Sequence, residues 1–380
     1  VRTPLFQRIK RWAPGSAAAV LLSSFLLAAC GENSPSVLNT AGPVAQDESS
    51  VFWVILVIAV IVFVLVEGAL VYSIFHFRER PGMEGVAPKQ IHGNTRLEML
   101  WTIAPMIILF IVLFFTIRGL FQVAPDAEPK SANTVTVEVD AHQWWWGFYY
   151  PKYNIETADT LHVPANTDIH VDLYSNNVIH SFWVPALFGK TDVIPGHNNT
   201  KWFSADSSAV GKEYLGLCAE YCGTQHGNMR FSVHVDSADQ FQSWVTQQQQ
   251  AAAKPANGSL AAQGQKIFQA QCTTCHGIVG VDINSPSAVQ DYAQACDDPN
   301  AKCRVGPNLT HFGSRSLIAG GVLTNNKESC DPNDPNLLKD CNLAQWLNDP
   351  QGVKPGNDMQ IGSLSQNQIK SLVAYLEGLQ

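Results

Sequence analysis

The chain has 380 residues, enough for two or three domains, and a formal net charge of −8, a balance that disfavours nucleic acid and suits basic partners. Charged residues make up only 15% and hydrophobic ones 46%, which leans towards a membrane protein. The average hides a division, because the long apolar runs lie in the first third and everything after about residue 122 reads as water-soluble.

Residues 1–30 begin with a basic segment (Arg2, Arg8, Lys10 and Arg11, with no acid), continue through the apolar stretch Ala17 to Ala29, and end at Leu27-Ala28-Ala29-Cys30. This is the pattern of a secretory signal. The small residues before Cys30 resemble a lipoprotein cleavage box, so residues 1–29 are expected to be a cleaved signal and Cys30 a lipidated N-terminus. The alternative is an ordinary signal with an incidental cysteine.

A transmembrane hairpin is expected over residues 30–125. Val51 to Phe77 is apolar apart from Glu67, and Met99 to Phe121 apart from Arg118. Each run, about 51–77 and 99–121, exceeds the roughly 20 residues that cross a hydrocarbon core. The loop between them carries Arg78, Arg80, Lys89 and Arg96, whereas Glu32, Asp47 and Glu48 precede the first run. The positive-inside rule then puts that loop in the cytoplasm and both ends of the mature chain outside; with the resemblance to a bacterial lipoprotein box, this implies the outer, periplasmic face of a bacterial plasma membrane.

From Thr134 the pattern changes to short strands of period two, such as Thr134-Val-Thr-Val-Glu-Val-Asp and Ile169-His-Val-Asp-Leu, punctuated by Pro, Asn and Gly. An all-β sandwich or barrel over 126–245 is expected. Gln247 to Ser259 is a low-complexity run of Gln, Ala, Lys, Pro, Asn and Gly. It reads as a linker, 246–259, between independently folding domains. Residues 260–380 are helical and loop-rich.

Two constellations carry chemistry. Cys218-Ala-Glu-Tyr-Cys222-Gly-Thr-Gln-His226-Gly-Asn-Met229 gathers two thiols, an imidazole and a thioether into twelve residues. Soft sulfur with imidazole selects copper or zinc. A single-copper site uses one Cys, so the second thiol, four positions on, allows two bridging thiolates and two copper ions. A second histidine must come from another strand, and His180 is the candidate. His142, His162, His170, His197 and His234 read as ordinary β-domain histidines. The other constellation is Cys272-Thr-Thr-Cys275-His276, the c-type haem motif: two thioether bonds and a proximal histidine. Of the five methionines only Met359 follows it. Met359 is the expected sixth ligand, with His311 the other candidate. Met/His ligation raises the potential, as suits a donor to copper.

With the copper loop, His142-Gln-Trp-Trp-Trp146 and Glu98-Met-Leu-Trp-Thr-Ile-Ala-Pro105, residues 45–245 resemble subunit II of cytochrome c oxidase and its dinuclear copper site, CuA. The resemblance implies His180, Cys218, Cys222, His226, Met229 and the Glu220 carbonyl as copper ligands. It implies the Glu220 carboxylate on a Mg2+ shared with subunit I, Trp144 as the point where electrons enter, and Glu98 at the mouth of a proton path. A quinol-oxidising branch would lack the copper ligands, which this chain keeps. The segment Gly264-Gln-Lys-Ile-Phe268, the haem motif and Gly306-Pro-Asn-Leu309 resemble class I cytochromes c, although Gln360 stands where a Pro usually follows the methionine.

The fold class implied is a multidomain membrane protein: a two-helix transmembrane hairpin, an all-β cupredoxin domain, and an all-α class I cytochrome c domain, as in caa-type oxidases. Its implied partners are oxidase subunits I and III and an external donor such as cytochrome c. Its cofactors would be the copper pair, haem c and interfacial Mg2+. Cys296, Cys303, Cys330 and Cys341 sit in two insertions and allow three pairings; nearest-neighbour pairing closes the shortest loops.

Overall fold

The computed structural model describes residues 35–78, 81, 82, 85, 93–129, 131–175, 177–279 and 306–380. The expected signal, Cys30, and the Cys296–Cys303 pair lie outside the described residues.

Among the described residues two helices come first, α1 (Pro43–His76) and α2 (Thr95–Val123). Their most apolar stretches have mean hydropathies of 3.2 and 2.6 and are unburied by protein, as lipid-facing segments must be. Asn94 caps α2, its side chain accepting from the amides of Arg96 and Leu97. The helix α1 starts eight residues before the expected apolar run because its polar first turns are bonded to the β domain. Gln46 donates to Asp206 at 2.7 Å, and Glu48 accepts from the Gly189 amide at 3.0 Å. Ala41 and Val44 join the β-domain core. The anchor is therefore stapled to the domain it carries.

The β domain follows as strands β1 (Val135–His142), β2 (Trp145–Tyr150), β3 (Ile155–Ala158), β4 (Thr160–Pro164), β5 (Ile169–Ser175), β6 (His180–Val184), β7 (Phe188–Val193), β8 (Asn199–Phe203), β9 (Glu213–Cys218) and β10 (Arg230–Asp236). They form two five-stranded sheets, ordered β3-β2-β1-β5-β8 and β4-β10-β9-β6-β7. Alternation puts Val135, Val137 and Val139 inwards. The core is strongly aromatic, with Phe182 stacked on Phe231 at 4.7 Å and both against Trp146. The outward histidines pair with carboxylates, His162 with Asp236 and His170 with Glu128, as ordinary β-domain histidines do.

The helix α3 (Ala238–Gln248), opened by a Ser237/Gln240 capping box, closes the sandwich and runs into the segment read as linker. The haem-motif domain is built on α4 (Leu260–Gln271) crossed by the C-terminal helix, α8 (Gln366–Leu376), with three short helices between them among the described residues: α5 (Leu337–Asp340), α6 (Asn342–Asn348) and α7 (Pro350–Val353). At the crossing a Cβ on Gly264 would lie 1.9 Å from the Ser371 carbonyl, so only glycine permits this approach. Cys330 and Cys341 form a disulfide, the nearest-neighbour pairing.

Glu377, at the end of α8, is buried, and its Oε1 has no hydrogen-bond partner among the described residues. Burial pushes its carboxyl up to about 7. A folded-state pKa above the unfolded one means that stability is lost as pH rises from about 4.5 to 7. Glu377→Gln should therefore stabilise the protein by about 2–3 kcal/mol at pH 8 and not at pH 4, a difference that thermal unfolding at the two pH values would reveal.

Candidate copper and haem sites

His180 opens β6, Cys218 ends β9, and the loop from there to β10 supplies the remaining donors. Asn177 Oδ1 lies 3.0 Å from His180 Nε2, which turns His180 Nδ1 towards Cys218 Sγ, 3.8 Å away. The two sulfurs of Cys218 and Cys222 are 3.7 Å apart. That is too far for a disulfide and suitable for two thiolates sharing metal ions. Cys222 Sγ is 3.7 Å from His226 Nδ1 and 3.8 Å from Met229 Sδ, and the Glu220 carbonyl is 3.2 Å from Cys218 Sγ. All six expected donor atoms thus converge. The sulfurs and His180 are buried. His180, Cys218 and Cys222 alone already form a tight ligand group.

The hydrogen bond shared with Cys222 holds the Cys218 thiol well below the usual thiol range, helped by His180 and two backbone groups, while Cys222 is driven up. Bridging cations would relieve this competition between the thiols. Two thiolates, two imidazoles, a thioether and a carbonyl exceed the four ligands of structural zinc and fit a copper pair.

The second site lies at the end of α4. Cys272, Cys275, His276 and Met359 line a cavity of about 250 Å³ with Phe268 and Leu309. His276 Nδ1 is 2.9 Å from the Pro307 carbonyl. Donation there fixes the tautomer in which Nε2 is the ligand atom. The Met359 amide donates to Asn357 Oδ1 at 2.8 Å, which fixes the loop despite Gln360. Two thiols, an imidazole and a thioether around an apolar cavity fit a covalently held haem. His311 lies elsewhere: its Nε2 is 3.1 and 3.2 Å from the carbonyls of Gln248 and Gln250. Met359→Ala should leave the haem attached and lower its potential, while His311→Ala should not. Redox titration of the full-length protein distinguishes them, and a lower potential in the His311 variant alone would reverse the assignment.

The segment read as a linker is tied down at its start, and the two soluble domains, each with its own core, are in contact. His311 holds Gln248 and Gln250, and buried Ala252 donates its amide to Val279. The haem-motif domain also lies against the copper domain: the Arg230 amide donates to Gly320 at 3.1 Å and Gln225 Nε2 to Pro355 at 2.7 Å. A Cβ on Gly320, whose φ is +68°, would stand 2.2 Å from the Trp144 carbonyl. The polar linker sequence gave no sign of this docking, because main-chain carbonyls make most of it.

The three adjacent tryptophans have different fates. Trp146 is core, while Trp145 stacks on His142 at 4.0 Å. Trp144 is only 9% exposed and lines the haem-motif cavity. Its Nε1 donates to the Cys222 carbonyl at 3.0 Å, which also receives Gln143 Nε2 at 2.7 Å. One indole therefore touches both sites. Glu220 is exposed beside the copper loop, with Tyr221 next to it at 72% exposure. Glu98 lies at the opposite end of α2, where its Oε1 accepts from the Asn94 amide at 3.2 Å, so this carboxylate also helps cap the helix. Gln143, Asn177 and Lys354 escaped the sequence reading. Only Asn177, three positions before His180, had a placement that could have suggested its role.

Two lipid-type helices, a sandwich with a sulfur-rich donor loop and a helical haem-attachment domain define a membrane-anchored electron-transfer protein. Residues 36–118 match the family profile of the cytochrome c oxidase subunit II transmembrane domain, 152–236 that of its periplasmic domain, and 261–380 that of cytochrome c. Cytochrome c oxidase subunit 2 of Bacillus sp. (strain PS3) is 36% identical, with 94% of this chain and 95% of that one aligned. The corresponding protein of Alkalihalophilus pseudofirmus is 34% identical over 94% of each. A crystal structure of the periplasmic domain of subunit II from Bradyrhizobium japonicum is similar at 31% identity and a TM-score of 0.30, covering 32% of this chain and 96% of that one. The chain belongs to the cytochrome c oxidase subunit 2 family, in the form that carries a fused cytochrome c domain.

Proposed function

We propose that the chain accepts electrons from an external donor such as cytochrome c and relays them, through its haem-motif domain and then its copper loop, to subunit I of a terminal oxidase. There oxygen would be reduced to water with proton translocation. The haem c and the copper pair supply the one-electron chemistry when bound. His276 and Met359 would hold the iron, and Cys272 and Cys275 the porphyrin edge. His180, Cys218, Cys222, His226, Met229 and the Glu220 carbonyl would hold the copper ions.

The observation that carries this reading is Trp144, which lines one site and hydrogen-bonds the backbone of a ligand of the other. Burial of that indole excludes water from the path between them. The exposed Glu220 carboxylate suits a Mg2+ shared with subunit I, since hard cations take oxygen ligands. Glu98, at the cytoplasmic end of α2, would stand at the mouth of a proton path. Subunits I and III would cover the apolar faces of α1 and α2, with the soluble domains on the periplasmic side of a bacterial plasma membrane.

Affinity purification from a detergent-solubilised membrane tests the assembly. Two copper ions per covalent haem, together with extractable haem and larger hydrophobic subunits, are expected. A chain recovered alone and without copper would refute the reading.

A further inference from the structure

We infer that Lys354 is the positioning residue that clamps the haem-motif domain onto the copper domain, its ammonium held in a cage of three backbone carbonyls from three separate segments. This inference rests on the relay proposed above and adds how its two sites are kept in register.

Lys354 is 2% exposed. Its Nζ donates to the Trp144 carbonyl at 2.6 Å, the Ala319 carbonyl at 2.8 Å and the Asn228 carbonyl at 3.2 Å. An ammonium has three protons, and all three are used. The acceptors are the turn that carries Trp144, the copper loop one residue before Met229, and a turn of the haem-motif domain. Lys354 itself stands five residues before Met359. One side chain therefore ties the loop bearing the expected haem thioether to the loop bearing the expected copper thioether, with Trp144 between them.

Burying an ammonium is costly unless it is fully hydrogen-bonded, so the cage implies that the docked arrangement is the one the sequence selects. Asp159, from the copper domain, supplies a buried carboxylate near enough to oppose the desolvation of Lys354. Lysine suits the task better than its analogues. A guanidinium spreads its donors over a larger plane, whereas an ammonium is a compact charge with three donors on one atom, and a neutral amide offers two protons for three acceptors. Gly320 completes the fit, since a Cβ there would lie 2.3 Å from Lys354 Nζ.

The test uses the purified full-length oxidase. In Lys354→Met, with covalent haem and the copper resonance retained, the Arg230 amide, which bonds across the seam to Gly320, should exchange with solvent about tenfold faster or more. Electron passage from haem c to copper should slow by about tenfold or more. Lys354→Gln should recover part of both. Ser316→Ala, which removes the seam hydrogen bond to Glu213 (3.2 Å) without touching a cage residue, should leave both within about twofold. Unchanged Arg230 exchange in Lys354→Met would overturn the clamp, as would an equal effect from Ser316→Ala. Faster exchange with an unchanged electron-transfer rate would uphold the clamp and place the fault in the Trp144 route. If Lys354→Met fails to load haem, Lys354→Gln is read by the same two measurements and the same criteria.

Discussion

Trp144→Ala is expected to slow electron passage from haem c to the copper pair by about 100-fold or more, while leaving both centres loaded. The indole lines the haem-motif cavity and donates to the Cys222 carbonyl at 3.0 Å. Its removal opens a gap between two sites whose coupling depends on contact, and a displacement of about 1 Å can cost that much. The ligands themselves are untouched. Gln143 still donates to the same carbonyl at 2.7 Å, so the copper loop should keep its shape. Stopped-flow spectroscopy, following haem and copper bands separately, should show haem c still reducible by the external donor but slowly reoxidised. A rate unchanged from the parent would move the entrance to Trp145, stacked on His142, or to the exposed Tyr221.

The second large effect is expected from Cys222→Ser. Cys222 Sγ is the hub of the donor set, within 3.8 Å of Cys218, His226 and Met229. A hydroxyl at that position is a hard, poorly ionised donor and cannot bridge soft copper ions. The mixed-valence resonance of the pair should vanish. The haem should remain, because none of its expected ligands shares a loop with Cys222. Electron paramagnetic resonance with metal analysis reads both, and a surviving dinuclear signal would remove Cys222 from the ligand set.

Much of this was legible in the sequence because the chemistry is concentrated in side chains at fixed spacings. Two thiols, His226 and Met229 within twelve residues admit few alternatives, and Cys272-Thr-Thr-Cys275-His276 admits almost none. His180 could be proposed because a second imidazole was required, and β6 brings it to Cys218. The apolar runs gave both helices, but not the start of α1, whose Gln46 and Glu48 bond to the β domain instead of water.

The docking of the two soluble domains was not legible. It depends on main-chain carbonyls of Trp144, Asn228 and Ala319, and carbonyls leave no mark in a sequence. Nothing in the sequence around Lys354 marks its cage. The polar run after Gln247 looks like a free tether until His311 is found bonded to its carbonyls.

The central claim is that electrons cross from haem c to copper within one docked chain. It is tested most directly by injecting a single electron photochemically into the oxidised full-length oxidase and following both centres over a range of protein concentrations. Haem c should be reduced first and the copper pair afterwards, in a first-order step whose rate does not change with protein concentration. A rate that rises with concentration, or copper reduced ahead of haem c, would contradict the claim.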